Sequence, residues 1–142
     1  MTIAAIIAGR TDSIVSVAPE ALVSDVVGLL AERRIGAVPV LDGAKLVGIL
    51  SERDVLRILA RDGASALTLQ AKDLMTTPVV TVEPTTTVIG SLSLMTRRRM
   101  RHLPVVEGDR MVGFVSIGDL VKRRIDQIEA EAIAMREYIT SA

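Results

Sequence analysis

The sequence predicts an α+β chain built from two pseudo-symmetric β-α-β-β-α units and closed by a long C-terminal helix. Three observations carry that expectation. The first is an internal repeat: Pro19 and Pro84 stand 65 residues apart, and the same offset holds without a gap for roughly forty residues. It sets Val15 on Val80, Val23 on Val88, Arg33-Arg34 on Arg98-Arg99, Pro39-Val40 on Pro104-Val105, and Ser51 and Asp54 on Ser116 and Asp119. A duplication of that length fixes the architecture before any single element is considered. The second is that apolar spacing switches between strand and helix periods in the same order in both copies. The third is an apolar heptad pattern that continues well beyond Asp119.

Each element follows from local chemistry. Residues 14–17 are a short β-branched run ended by Ala18-Pro19, because proline cannot donate to a ladder. Val23, Val26, Val27 and Leu30 fall at i, i+3, i+4 and i+7, one face of a helix. Cations at Arg33-Arg34 and then Gly36 predict its end, with glycine as the stop. Residues 37–41 and 46–50 are apolar runs joined across Asp42-Gly43, a hairpin signal. A second helix is expected from Ser51 to about residue 60. The later copy repeats this with a strand at 79–82, a helix carrying Val88, Leu92 and Met95, a hairpin across Glu107-Gly108-Asp109, and a helix from Ser116.

The expected divisions are 1–65 for an N-terminal helix and the first unit, 66–124 for a linker and the second, and 125–142 for the helical extension. Asp73-Leu74-Met75-Thr76 is expected to form a helical turn within the linker. Val121, Ile125, Ile128, Ala132, Met135 and Ile139 step by 4, 3, 4, 3 and 4, a coiled-coil seam. This stripe either packs on its own domain or pairs with the same helix of a second chain. A unit of some fifty residues buries too little apolar surface to stand alone. Two units facing each other solve that, and their interface makes clefts related by a pseudo-two-fold axis.

Composition narrows the chemistry. The 17 basic and 17 acidic residues cancel, which argues against a nucleic-acid partner. The chain has no cysteine and one histidine, His102, so thiol chemistry, disulfides and an imidazole-rich metal site are excluded. The apolar run at Ile3–Ala8 is too short for a membrane span and lacks the basic start of a secretory signal, so no membrane partner and a cytoplasmic location are expected. With Phe114 and Tyr138 the sole aromatics, a bound base must lie among aliphatic side chains and backbone edges.

The repeated string Gly48-Ile49-Leu50-Ser51-Glu52-Arg53-Asp54 and its counterpart Gly113-Phe114-Val115-Ser116-Ile117-Gly118-Asp119 can be read in two ways. Ser-x-x-Asp before an apolar helix is a capping box, with serine and carboxylate satisfying two helix-start amides. The same helix start also attracts phosphate through its amides and dipole. Ser51 would then add a hydroxyl, Arg53 a bidentate cation, Asp54 an acceptor for both ribose hydroxyls, and Gly48 room for close backbone approach. Arg97, Arg98, Arg99 and Arg101 fit a solvated last turn of a helix better than a nucleic-acid patch.

That string, its place after a hairpin and its duplication resemble paired cystathionine-β-synthase (CBS) domains, over residues 14 to about 124. Asp73-Leu74-Met75-Thr76-Thr77-Pro78, Ala37-Val38-Pro39-Val40 and His102-Leu103-Pro104-Val105 match the family's patterns as well. The resemblance implies two β-α-β-β-α units packed through their sheets, dimerised into a disc of four units to which the C-terminal helix adds. It implies an AMP, ADP or ATP ligand, with NAD as a second candidate, and an unidentified protein regulated by it. Ser51, Asp54, Ser116 and Asp119 would be the phosphate and ribose contacts. The residues before and within the Pro-Val strands (Gly36, Ala37, Pro39, Arg101, His102 and Pro104) and the lead-in valines Val15 and Val80 would face the ligand.

The copies are unequal: Arg53 is matched by Gly118, while Arg101 and His102 stand where the first copy has Gly36 and Ala37. Two unequal sites are therefore expected. No serine has a base with an orienting acid, and no Walker or Rossmann glycine pattern is present, so no enzyme activity is expected. The alternative to a nucleotide sensor is a structural dimerisation module whose capping boxes are only caps.

Overall fold

The structure is a computed structural model that describes residues 1–10 and 13–141. Its elements run α1 (Ile3–Ala8), α2 (Val23–Arg33), β1 (Ala37–Asp42), β2 (Lys45–Ser51), α3 (Glu52–Asp62), a 3-10 helix (Gly63–Thr68), α4 (Ala71–Leu74), α5 (Val88–Arg98), β3 (His102–Glu107), β4 (Arg110–Ser116) and α6 (Ile117–Ser141). The two hairpins join in one antiparallel sheet of order β1-β2-β4-β3. Within each hairpin the register matches residue for residue: Ala37 opposes Ser51 as His102 opposes Ser116, and both carry a bulge at the same place. The glycines at both turns, Gly43 and Gly108, have φ of 63°, the conformation the hairpin signal called for. Between hairpins, Lys45 and Arg110 form the pairing recorded for β2 and β4.

Each repeat keeps its own core. Val23, Val26, Leu30, Val38, Val40, Leu50 and Val55 fill the first, and Val88, Met95, Leu103, Val105, Val115 and Leu120 the second. The predicted apolar faces are therefore the buried ones. The lead-in strands are shorter than their β-branched runs suggest. Each is reduced to one parallel bridge, Val17 on Val40 and Val82 on Val105. The proline two residues after each bridge valine denies the ladder its next donor.

Helix ends also depart from expectation. α2 ends with Arg33 in its last turn as expected, but the left-handed cap is Arg34 rather than Gly36, and α5 is capped the same way by Arg99, both at φ 54° and ψ 46°. The Ile35 amide donates to Leu30 O (3.1 Å) and Met100 to Met95 O (3.0 Å), closing both helices without glycine. The linker turn lies at Ala71–Leu74 rather than 73–76, since Asp73 Oδ2 accepts from the Gln70 amide and fixes the helix start there.

A further element of the duplication lies upstream of the ungapped match. α1 packs on the second repeat, although it precedes the first in sequence, with Ile3 fully buried in that core. α4 takes the corresponding place on the first repeat. The Ile3 and Ala4 amides donate to Thr86 and Pro84, just as Ala71 and Lys72 donate to Ala21 and Pro19. Ile7 lies over Gly113 as Met75 lies over Gly48. These pairs are 68 residues apart where the rest of the repeat is 65 apart, so the lead-in to the first copy is three residues longer.

Candidate functional site

Two clefts open where the repeats meet, and each draws its walls from both. The first, about 400 Å³, joins the end of β2 and start of α3 to residues 78–80 and 98–102 of the second repeat. The second, about 490 Å³, joins the end of β4 and start of α6 to residues 13–15 and 34–37 of the first repeat. Gly36, Ala37 and His102 line both, so they form a shared wall.

At the floor of the first cleft, Ser51 caps α3. Its Oγ accepts from the Asp54 amide at 3.2 Å and donates to Asp54 Oδ2 at 2.9 Å, and the Ser51 amide donates to the same Oδ2 at 2.9 Å. The capping box is thus formed. Asp54 is 8% exposed, and its Oδ1 accepts from Thr76 Oγ1 at 3.2 Å, with Arg57 at 3.7 Å. Of the first-turn amides, Glu52 already donates to Gly36 O (2.9 Å) and Asp54 to Ser51. An anion here must therefore lean on side chains more than on the helix start. Those side chains are present: five arginines (Arg53, Arg57, Arg98, Arg99 and Arg101) line the cleft against the two carboxylates of Glu52 and Asp54.

The second cleft repeats the cap. Ser116 Oγ accepts from the Asp119 amide (3.2 Å) and Asp119 Oδ2 accepts from the Ser116 amide (2.8 Å). Here the outer partner is Arg10, whose guanidinium lies 2.6 Å from Asp119 Oδ2 and donates to Phe114 O at 2.5 Å. Burial works to raise the Asp119 carboxyl, but the Ser116 amide and hydroxyl and the Arg10 guanidinium outweigh it and hold it below the usual 3.8.

His102 stacks on Phe114 with ring centroids 5.6 Å apart and planes 12° from parallel. Its Cε1 is 3.3 Å from where a Cβ at residue 36 would stand, so a larger residue there would press on the imidazole. Burial pushes His102 below its usual 6.5; Asp119 and Glu52 oppose this and Arg101 adds to it. The imidazole is therefore neutral at physiological pH.

Among the residues expected from sequence, the first cleft brings together Ser51, Arg53, Asp54, Val80, Arg101 and His102 with Gly36 and Ala37. The second gathers Val15, Ser116 and Asp119 on the shared wall. Pro39 and Pro104 line neither: they are buried in β1 and β3, and their carbonyls accept from the Val17 and Val82 amides at 3.1 and 3.0 Å. Gly48 and Gly113 give close approach to Met75 and Ile7, not to a cleft. Arg10, Arg57, Thr76, Arg98 and Arg99 also line or border the clefts without standing among the expected site residues. Arg57 carried a usable signal, since it stands one helical turn from Asp54 on α3. No group of acidic and histidine side chains suited to a metal occurs among the described residues.

Comparison with known proteins agrees with this architecture. The sequence pattern of the CBS domain matches twice, at residues 7–61 and 71–126. A putative signal-transduction protein with CBS domains from Burkholderia ambifaria superposes with a TM-score of 0.82 at 39% identity, covering 89% of this chain and 95% of that one. The structure of CBSX2 in complex with AMP superposes with a TM-score of 0.76 at 26% identity, covering 90% and 98%. The mitochondrial CBS domain-containing protein CBSX3 of Arabidopsis thaliana is 36% identical over 77 residues, 53% of this chain, and the match spans 37% of that protein's length.

Proposed function

The chain belongs to the CBS domain family, and from that premise we propose that it binds an adenine nucleotide in the first cleft and signals occupancy through the packing of its two repeats. The single observation that carries this is the capped Ser51–Asp54 floor, flanked on its own helix by Arg53 and Arg57 and joined across the repeat interface by Arg98, Arg99 and Arg101. The floor offers Asp54 as ribose acceptor once the Thr76 hydroxyl gives way. The arginines neutralise phosphate, and the aliphatic residues Ile49, Val79 and Val80 hold the base in place of aromatics. The excess of guanidinium over carboxylate favours ADP or ATP over AMP, because each added phosphate charge meets a further cation. A nucleotide gripped by both repeats favours the angle that lets both touch it, and a regulated partner reads that angle.

A panel of AMP, ADP, ATP and NAD in a thermal-shift assay tests this. A ligand at a hundred times its Kd adds about 2.7 kcal/mol to stability, a rise in Tm of roughly ten degrees for a domain of this size. Arg53→Ala and Arg101→Ala are expected to cut that rise while leaving the unliganded Tm within about two degrees. No rise with any of the four would overturn the reading.

A second reading rests on a different observation. The α6 stripe is open, with Ile125 50%, Ile128 48%, Met135 60% and Ile139 65% exposed. It does not pack on its own domain. An apolar seam of that length suits the same helix of a second copy, which makes the protein a homodimer.

A further inference from the structure

We infer that Arg10 decides which cleft accepts a nucleotide: it occupies the ribose acceptor of the second cleft and so confines tight binding to the first. The inference rests on the proposed nucleotide site but concerns a residue that lies outside the repeated motif. Asp54 and Asp119 occupy equivalent positions, yet their outer partners differ in kind. Asp54 Oδ1 accepts from a neutral hydroxyl, Thr76 Oγ1 at 3.2 Å, while the nearby Arg57 guanidinium stands off at 3.7 Å, beyond hydrogen-bond reach. Asp119 is held through Oδ2, the oxygen that also accepts from the Ser116 amide, by the Arg10 guanidinium at 2.6 Å, which also donates to Phe114 O at 2.5 Å.

This difference decides the exchange a ribose must perform. In the first cleft a sugar hydroxyl replaces a side-chain hydroxyl, like for like, with the carboxylate's hydrogen bonding conserved. In the second, a neutral hydroxyl competes for a carboxylate whose charge is already drawn into a charge-assisted pair, and a sugar that separates the pair leaves the cation only the Phe114 carbonyl. The guanidinium is also fixed in place. α1 is anchored by Ile3 in the second core and by the Ile3 and Ala4 amides on Thr86 and Pro84. Ile7 lies against Gly113, one strand residue from Phe114. The Arg10–Asp119 pair is about one-third exposed on each side, so water screens it and the barrier is modest. Removing it is expected to tighten the second cleft about fivefold, the upper end for a partly exposed ion pair.

Titration of the ¹⁵N-labelled full chain with AMP, followed by NMR, reads both clefts separately, through the Arg53 amide in the first and the Gly118 amide in the second. In the native protein the Kd reported at Gly118 is expected to be weaker than at Arg53. Arg10→Gln should tighten the Gly118 value about fivefold and leave the Arg53 value unchanged, with Arg10→Lys intermediate because it keeps the charge but loses the two-pronged hold. An unchanged Gly118 Kd in Arg10→Gln overturns the inference, and a weakened one does so too by making Arg10 a ligand contact. An Arg53 amide that never responds to AMP, ADP or ATP instead counts against the nucleotide site itself. The Tm of each variant, measured alongside, shows that the fold is intact.

Discussion

Two arginines hold a backbone conformation that glycine adopts more easily. Arg34 and Arg99 sit at φ 54°, and each lines one cleft. A non-glycine residue in that region costs on the order of 1 kcal/mol. The sequence rule that looks for glycine after a helix passes over them, and passed on to Gly36. On the proposed function, the use of the side chain at the cleft offsets that cost. Arg99→Gly is therefore expected to leave the Tm unchanged or raise it by a degree or two, since relief of strain offsets the added freedom of the unfolded chain. The same variant should lose much of the nucleotide-induced rise. Loss of both stability and binding would mean that the arginine is structural. His102 gives a second test at this scale. Its value is depressed in the fold, so on acidification the unfolded chain takes up the proton first. Stability contributed by the neutral imidazole is present above about pH 6.5 and is lost as pH falls below it, with a slope of at most about 1.4 kcal/mol per unit. Urea melts between about pH 7.5 and 5.5 should show that fall, and His102→Gln should flatten it. Asp119 adds nothing in this window, because its depressed carboxyl loses stability only as pH drops below about 3.8.

Among the elements, hairpins and helices were legible because turn chemistry and apolar spacing act locally. Asp42-Gly43, the Val23 to Leu30 face and the Ser51 cap all form where their residues say they should. The lead-in strands were over-read, because a β-branched run states a preference but not a partner, and one bridge is all that the following proline leaves. α1 and α4 were missed as equivalents, since a three-residue slip breaks the ungapped match and α1 packs on the repeat that follows later in the chain. Their shared contact makes a prediction. A methyl at residue 113 would stand 2.7 Å from Ile7 Cγ2, and one at residue 48 would meet the Met75 side chain. Overpacking of this kind costs typically 1–3 kcal/mol. Gly113→Ala should lower the Tm by several degrees. Gly48→Ala should lower it at least as much, because Met75 Sδ would overlap the new methyl, Cγ and Cβ would stand 2.7 and 3.0 Å away, and Cβ cannot turn aside. Absent losses would mean that the two helices are not seated as described.

For the molecule as a whole, the duplication put both Ser-x-x-Asp floors and the shared wall within reach of sequence alone. The cations were harder to place. Arg10 lies far from Asp119 along the chain, and only the seating of α1 joins them. The heptad seam gave the helix but left its partner open between the chain's own core and a second copy. The exposure of Ile125, Ile128, Met135 and Ile139 removes the first choice. On the homodimer reading, the full chain should sediment as a dimer and the chain ended after Arg124 as a monomer, with the nucleotide-induced rise in Tm retained. A truncated chain that stays dimeric would place the dimer contact elsewhere.

The seam between the hairpins has a mechanical consequence. Lys45 and Arg110 are both cations and both exposed, yet they face each other where β2 meets β4. Like charges directly opposed across strands repel, so the sheet is weakest where the halves join and stiff within each hairpin. Any bending of the sheet is expected at that line rather than within either hairpin. On the proposed function, a molecule wedged between the hairpins on one side of it would act as a spacer, its size set against an angle.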